Sequence, residues 1–212
     1  MATETTTVSL VRHGEVHNPG QIYYGRLPDY ALNEMGREQA GAAADYFRSR
    51  TVANIYASPM LRTQQTAEII ARMCGLTFQT IELLNEVHSP FDGDPLSVLA
   101  GRAWDLYSGS AAKFEQMVDV LERVVNFIKW SADQYPGQHT VGVTHGDLLG
   151  LAFLWGQGVT AKDLPEKGRS YENLGMSDNY PAPASIVSLV WRKGDEAEQP
   201  QVTYFNPAAD AE

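Results

Sequence analysis

Two short apolar runs in this chain each break off in a histidine-glycine step, and that repetition restricts the fold more than any other feature. Val8, Ser9, Leu10 and Val11 lead into Arg12-His13-Gly14, and Val141, Gly142 and Val143 lead into Thr144-His145-Gly146. Runs of this length, separated by longer stretches of helical period, predict a sheet flanked by helices. In such sheets ligands collect where strands end, because loops diverge there and helix N-termini direct free N–H groups outward. Both imidazoles are therefore expected to open onto one crevice.

The rest of the chain fits this frame. "LNEMGREQAGAAADYFRSR" predicts a helix capped by Asn33, with Met35, Ala40, Ala43 and Phe47 forming its apolar stripe. Residues 54–57 read as a second strand. Ser58 as N-cap, Pro59 at the first helical position and Gly75 just past the end then bracket a second helix. Residues 78–81 suit a third strand, and 87–111, rich in Gly, Pro, Ser and Asp, read as an insertion or lid. In "KFEQMVDVLERVVNFIKW", Phe114, Met117, Val118, Leu121, Val124, Val125 and Ile128 share one helical face, and Pro136-Gly137 ends it. "HTVGVTHGDLLGLAFLW" is strand, turn and helix. A Gly/Pro/Ser/Asp-rich connection over 156–183 leads to two closing strands, "ASIVSLVWR" and "QVTYF", and a tail expected to be disordered beyond 207. The whole, 1–212, reads as one domain of 212 residues, long enough to bury a core without disulfides.

The net charge of -10 disfavours nucleic acid and anionic membranes as partners, so an anionic substrate needs locally placed cations. Cys74 is the single cysteine, which suits a reducing compartment and a place in the core. "MATETTT" has neither the basic nor the apolar region of a signal peptide, and no stretch approaches a membrane span, so a cytoplasmic protein is expected.

Local cations are present at the crevice. Arg12 adjoins His13, and Arg62, in the first turn of the second helix, is expected at the same sheet edge, pointing out of the core. A guanidinium fork matches phosphate oxygens, and such charge-assisted bonds are about twice as strong as neutral ones. A neutral imidazole can attack phosphorus in line if its other nitrogen is held by a hydrogen bond. His13 suits that role, and His145, protonated in the field of a bound dianion, suits charge stabilisation.

The chain resembles the histidine phosphatase superfamily, the phosphoglycerate mutase-like proteins. "LVRHGEVHN" is similar to the family's Arg-His-Gly signature, "YASPMLRTQQTAEII" to its second-arginine motif, and "VGVTHGDLLGLAF" to its second-histidine motif; "YALNEMGREQA" and "PASIVSLVW" extend the likeness over most of the chain. The resemblance implies a three-layer α/β/α sandwich with a mixed, mostly parallel sheet. It implies that His13 becomes a phosphohistidine and that Arg12, Arg62, His145 and the turn at Gly146 bind phosphate, with no cofactor. Asn18 matches a position that often contacts phosphate or substrate, although an ordinary turn role is equally open.

"LLNEVHSPFDGD" places Glu86 where the family carries its general acid, then departs from the family's glycine and tryptophan pattern; His88 and Asp147 are the alternatives. A carboxyl group acts as an acid near neutral pH when burial or adjacent negative charge raises its pKa. Tyr23, Tyr24 and Arg26 are expected to overhang the pocket, with Tyr24 and Arg26 as substrate contacts. Glu15 and His17 are second-rank, Glu15 reading as a solvated or strand-end carboxylate that could orient part of the site, and His139 reads as a strand-entry residue without a role. Arg102 is the only Arg or Lys in 87–111, against Asp92, Asp94 and Asp105. That balance favours hydrolysis of a small phosphorylated metabolite over a phosphoglycerate mutase reaction or a phospho-ligand binding role without turnover. A metal hydrolase is the weaker rival, since arginines beside the histidines repel a cation and no metal-type His or Cys spacing occurs. The oligomeric state stays open.

Overall fold

The computed structural model describes residues 5–164, 180–192 and 200–209. In chain order these form β1 (Thr5–Arg12), α1 (Glu34–Arg48), β2 (Val52–Ala57), α2 (Leu61–Cys74), β3 (Gln79–Thr80), α3 (Leu96–Gly101), α4 (Met117–Gln134), β4 (His139–Thr144), α5 (Gly146–Gly156), β5 (Ile186–Arg192) and β6 (Gln201–Phe205). The six strands lie in the order β3-β2-β4-β1-β5-β6. The β2–β3, β2–β4 and β1–β4 ladders are parallel, whereas β1–β5 and β5–β6 are antiparallel.

Period-two alternation along the strands divides the core between the two sheet faces. Val8, Leu10, Tyr56, Val187 and Leu189 pack with Val120, Phe127, Leu148 and Leu151 of α4 and α5. Val11, Ile55, Ala57, Val143 and Ile186 pack on the other side with Ala43, Phe47, Ala67 and Ile70 of α1 and α2. The result is the expected three-layer α/β/α sandwich with a mixed sheet. Gly142 shows how tightly the layers meet: a Cβ there would lie 2.8 Å from the Phe127 ring. Phe127, fully buried, fills that space, and its loss would cost about 3 to 5 kcal/mol.

Several local expectations hold. Asn33 caps α1, its Oδ1 accepting from Gly36 N at 2.7 Å. Gly75 ends α2 in the left-handed region, φ 68°. Others need correction. Ser58 and Pro59 precede α2, whose N-cap is Met60. Met35 is 52 % exposed and leaves the apolar stripe to Ala40, Ala43, Ala44 and Phe47. Phe114 lies before α4, whose start is closed by Asp119 Oδ2 accepting from Gln116 N at 2.8 Å, and its ring packs on His88 instead. Cys74 is only partly buried.

Segment 87–111 contains α3 and buries Leu99, Leu106 and Tyr107, so it packs on the core as a built element. Of the 156–183 connection, residues 165–179 lie outside the described part. Residues 207–209 form a turn with Pro207 buried, and the remainder of the tail lies outside the described residues. No helix among the described residues is long and apolar enough to cross a membrane.

Candidate active site

Strand register brings the two histidine-glycine steps together. Arg12 pairs with Thr144 across the parallel β1–β4 ladder, and His13 N donates to Thr144 O at 3.0 Å. His13 and His145 therefore follow adjacent strand ends, their ring centroids 5.4 Å apart and at 66°. Ser58 leaves β2 on the other side of β4, its N–H donating to Val143 O at 2.9 Å. Three neighbouring strand ends thus deliver His13, His145 and Ser58.

Glycine at position 14 is required by contact. A Cβ on Gly14 would lie 2.2 Å from Gly36 O, and one on Gly36 would lie 2.0 Å from Glu15 O, so the loop after β1 presses backbone to backbone on the first turn of α1. Glu15 joins the same clasp, accepting from Asn33 Nδ2 at 2.6 Å, which gives it a structural role.

His13 is buried and its Nδ1 lies 2.7 Å from Gly14 O. A carbonyl oxygen only accepts, so Nδ1 carries the hydrogen and the lone pair belongs to Nε2. Burial, reinforced by Arg62, His145 and Arg12, lowers the His13 pKa well below the usual histidine value against the pull of the Gly14 carbonyl. The ring is neutral and nucleophilic at physiological pH.

His145 Nε2 lies 2.8 Å from Ser58 Oγ, while Nδ1 faces Glu86 Oε2 at 3.2 Å and Arg62 Nη2 at 3.2 Å. Burial lowers its pKa to about 4, outweighing the attraction of Glu86. In the free site His145 is therefore neutral, and protonation requires added negative charge.

Arg62 departs from expectation. It lies wholly buried, with its guanidinium under the Tyr24 ring, 4.7 Å from the centroid. Its Nη2 donates to Gly25 O at 2.7 Å and faces Glu86 Oε2 at 3.5 Å. The loop over 23–25 folds back across the first turn of α2, so an arginine expected to point outward is roofed over. Its Nε is buried without a hydrogen-bond partner among the described residues.

Glu86 is buried, with Oε1 accepting from Val87 N at 2.9 Å. Burial alone would raise its pKa, as expected from the sequence. The opposing effects of His145, Arg62 and the Val87 N–H win, however, and hold the carboxyl well below the usual carboxylate range. The free site thus contains a carboxylate. Its backbone is fixed from behind: Arg26 Nε donates to Glu86 O at 2.8 Å, and Arg123 Nη1 donates to Asn85 O at 2.7 Å and Leu83 O at 2.9 Å. Glu115 links the two arginines, at 3.0 Å from Arg26 Nη2 and 2.8 Å from Arg123 Nε.

A cavity of about 470 Å³ opens on these groups, walled by Arg12, His13, Asn18, Tyr24, Glu86 and Gly146 at one end. Arg62 and His145, with no exposed surface, form the layer behind. Of the three acid candidates Glu86 alone is in the wall; the His88 ring packs on Phe114 and Asp147 is buried in α5. Arg26 is not in the wall either, its guanidinium being committed to Glu86 O and Glu115, which replaces the expected substrate contact with a positioning role. Asn18 serves the turn, donating from Nδ2 to Ile22 O at 2.9 Å, and still reaches the cavity.

Sequence reasoning missed Ser58, Arg123 and Tyr180. Ser58 ends a strand beside β4 as His13 does, which was a usable signal. Tyr180 lies over Gly146, where a Cβ would meet its hydroxyl at 2.2 Å, and its ring covers Arg12 at 5.0 Å. His13, Glu86 and His145 have ligand atoms within 4.8 Å of one another, close enough for a cation, but Arg62 Nη2 already places positive charge against two of them.

Residues 8–174 match the model of the histidine phosphatase superfamily, branch 1. The chain belongs to this family. The uncharacterized protein Rv0525 of Mycobacterium tuberculosis (strain ATCC 25618 / H37Rv) is 35% identical over 213 residues, covering 97% of this chain and 98% of that protein. A probable phosphoglycerate mutase GpmB of Yersinia pestis (strain Pestoides F) is 43% identical over 82 residues, 38% of each chain. Among solved structures, the mycobacterial glucosyl-3-phosphoglycerate phosphatase Rv2419c superposes with a TM-score of 0.69 at 24% identity, covering 95% of this chain and 99% of that one. Within the superfamily fold, the geometry around His13 and Glu86 distinguishes what each side chain can do.

Proposed function

We propose that this histidine phosphatase superfamily member hydrolyses a small phosphorylated metabolite through a phosphohistidine at His13. The observation that carries the reading is the Nδ1 hydrogen bond of His13 to Gly14 O at 2.7 Å, which leaves Nε2 as an unprotonated nucleophile in the cavity wall.

In the first step Nε2 attacks phosphorus in line, the N–P bond forms and the bond to the leaving oxygen breaks. Arg12, Arg62, His145 and the N–H groups at the start of α5, beginning with Gly146, balance charge on the three remaining oxygens. Phosphate charge beside Glu86 reverses the balance that holds it ionised, since Arg62 and His145 then face a second anion. Glu86 takes up a proton from solvent as the substrate binds and passes it to the leaving oxygen, and returns to the carboxylate when phosphate departs. In the second step Glu86 accepts a proton from water, the water oxygen bonds to phosphorus and the N–P bond breaks, restoring His13 and releasing phosphate. The acidic chain and single cysteine suit a cytoplasmic setting.

Among relatives, the name glucosyl-3-phosphoglycerate phosphatase supports hydrolysis. The likeness to GpmB favours a mutase as the second reading. A mutase must keep the phosphohistidine dry and hold a carboxylate-bearing product, which calls for extra cations. Arg12 is the only Arg or Lys among the described residues of the cavity wall. Assay of 3-phosphoglycerate with catalytic 2,3-bisphosphoglycerate decides between them: phosphate release at least as fast as isomerisation supports the phosphatase, and isomerisation much faster than release supports the mutase. No turnover of any phosphate ester would leave a phospho-ligand binding protein.

A further inference from the structure

The cavity continues beyond the phosphate end into a wall of different chemistry. Ile22 and Tyr23 come from the loop after β1, and Leu96, Ala103 and Trp104 from the segment around α3. The two loops are joined before any ligand arrives. Tyr23 N donates to Asp94 O at 2.7 Å, Gly93 N to Tyr23 O at 2.8 Å and Leu96 N to Gln21 O at 2.9 Å. This wall is therefore prebuilt.

Trp104 holds its place through a left-handed exit from α3. Its N–H donates to Leu99 O at 2.8 Å, and Ala103 N donates to Ala100 O at 3.0 Å, the paired bonds of a helix C-terminal cap. Ala103 and Trp104 have φ values of 51° and 61°, a region that glycine normally supplies. Two consecutive residues with a Cβ are held there, and the outcome is an indole in the cavity wall that remains 39 % exposed at its mouth. Strain of this kind gathers at ligand clamps.

Among the described residues, the cations nearest this wall are used elsewhere. Arg102 Nη2 donates to Ser108 O at 2.7 Å and its guanidinium lies over Phe91 at 4.7 Å. Arg26 is paired with Glu115, and Arg12 stands at the phosphate end, donating to Pro181 O. A carboxylate on the leaving group would lose water at this wall without meeting a free cation among the described residues, and would face the Glu86 carboxylate in the same cavity. An apolar face would gain contact with an aromatic platform.

We infer that the leaving group carries no anionic group and is largely apolar, an aryl or hydrophobic alkyl alcohol, and that Trp104 is the residue that selects it. This deepens the phosphatase reading and rests on it. Benzyl phosphate and ethyl phosphate have leaving alcohols of similar basicity, so their kcat/KM ratio reports recognition. We expect benzyl phosphate to exceed ethyl phosphate by about tenfold or more, and phosphoserine to fall below both. Trp104→Ala should collapse the benzyl-to-ethyl ratio toward one, and Trp104→Phe should restore most of it. Calorimetric binding of benzylphosphonate against methylphosphonate needs no turnover and so separates this inference from the phosphatase reading. Tighter binding of the benzyl compound that depends on Trp104 would support the apolar site even in a protein without turnover. A preference for phosphoserine or 3-phosphoglycerate, or a ratio untouched by Trp104→Ala in both rate and binding, would overturn it.

Discussion

Glu86 Oε2 and His145 Nδ1 lie 3.2 Å apart with both side chains almost fully buried, and Arg62 Nη2 reaches both. The carboxyl is thus held as a carboxylate in the free site, and the proposed mechanism has it gain a proton when bound phosphate competes for the same cation. Glu86→Gln removes the proton while keeping the shape. It should slow ethyl phosphate far more than p-nitrophenyl phosphate, whose leaving group hardly needs protonation. Equal slowing of both would place the acid elsewhere.

In the proposed mechanism Arg62 stabilises phosphate charge from a buried position that no lysine ammonium can reproduce with the same fork. Arg62→Ala should lower kcat/KM by about 10² to 10³-fold, the loss of one oxyanion-type donor. Arg62→Lys should recover only part of it. Steady-state kinetics at saturating and limiting substrate measure both. Wild-type rates in either folded variant would remove Arg62 from the phosphate site.

Arg62 Nη2 sets positive charge against Glu86 and His145, two of the three groups that a metal would need. Activity should survive excess EDTA, and vanadate, which mimics the five-coordinate phosphorus, should inhibit in competition with substrate. Activity lost on chelation and restored by a divalent ion would favour a metal hydrolase.

Burial of neutral imidazoles makes stability depend on pH. His145 and His139 titrate at about 4 in the folded chain, and His13 is lowered well below the usual value. Burial is the leading cause in each. The unfolded chain binds protons on these rings below about pH 6.5, which the folded chain does not. Stability is therefore full above that value and falls as pH drops from 6.5 toward 4. Each fully buried ring should remove about 2 kcal/mol between about pH 7.5 and about pH 5. Urea unfolding in phosphate-free buffer at those two values checks it, and a flat result would mean that the rings are charged in the folded state.

Legibility in the sequence followed the range of the interaction. The strands at β1, β2, β4, β5 and β6 are visible because apolar residues there stop abruptly at polar strand ends. The pairing of His13 with His145 is visible because both follow such ends. Ser58 misled the helix boundary: its hydroxyl satisfies the cap rule locally, yet it meets His145, 87 positions away. Arg26 was legible as a cation near the pocket, whereas its commitment to Glu115, 89 positions on, was not. The same holds for Arg62, whose roof of Tyr24 depends on how a loop folds back. Short-range pattern carries elements and strand ends; the ionisation of Glu86 is set by neighbours from α2 and the turn after β4.

The most direct test of the account is the covalent state of His13. Brief incubation with a turned-over phosphate ester, quenched without acid, should leave one acid-labile phosphate, located by tandem mass spectrometry on His13 and by phosphorus resonance on Nε2. His13→Ala should carry none and should lose turnover. Phosphate on His145 in place of His13, or substantial turnover by a folded His13→Ala variant with the same ester, would contradict the mechanism.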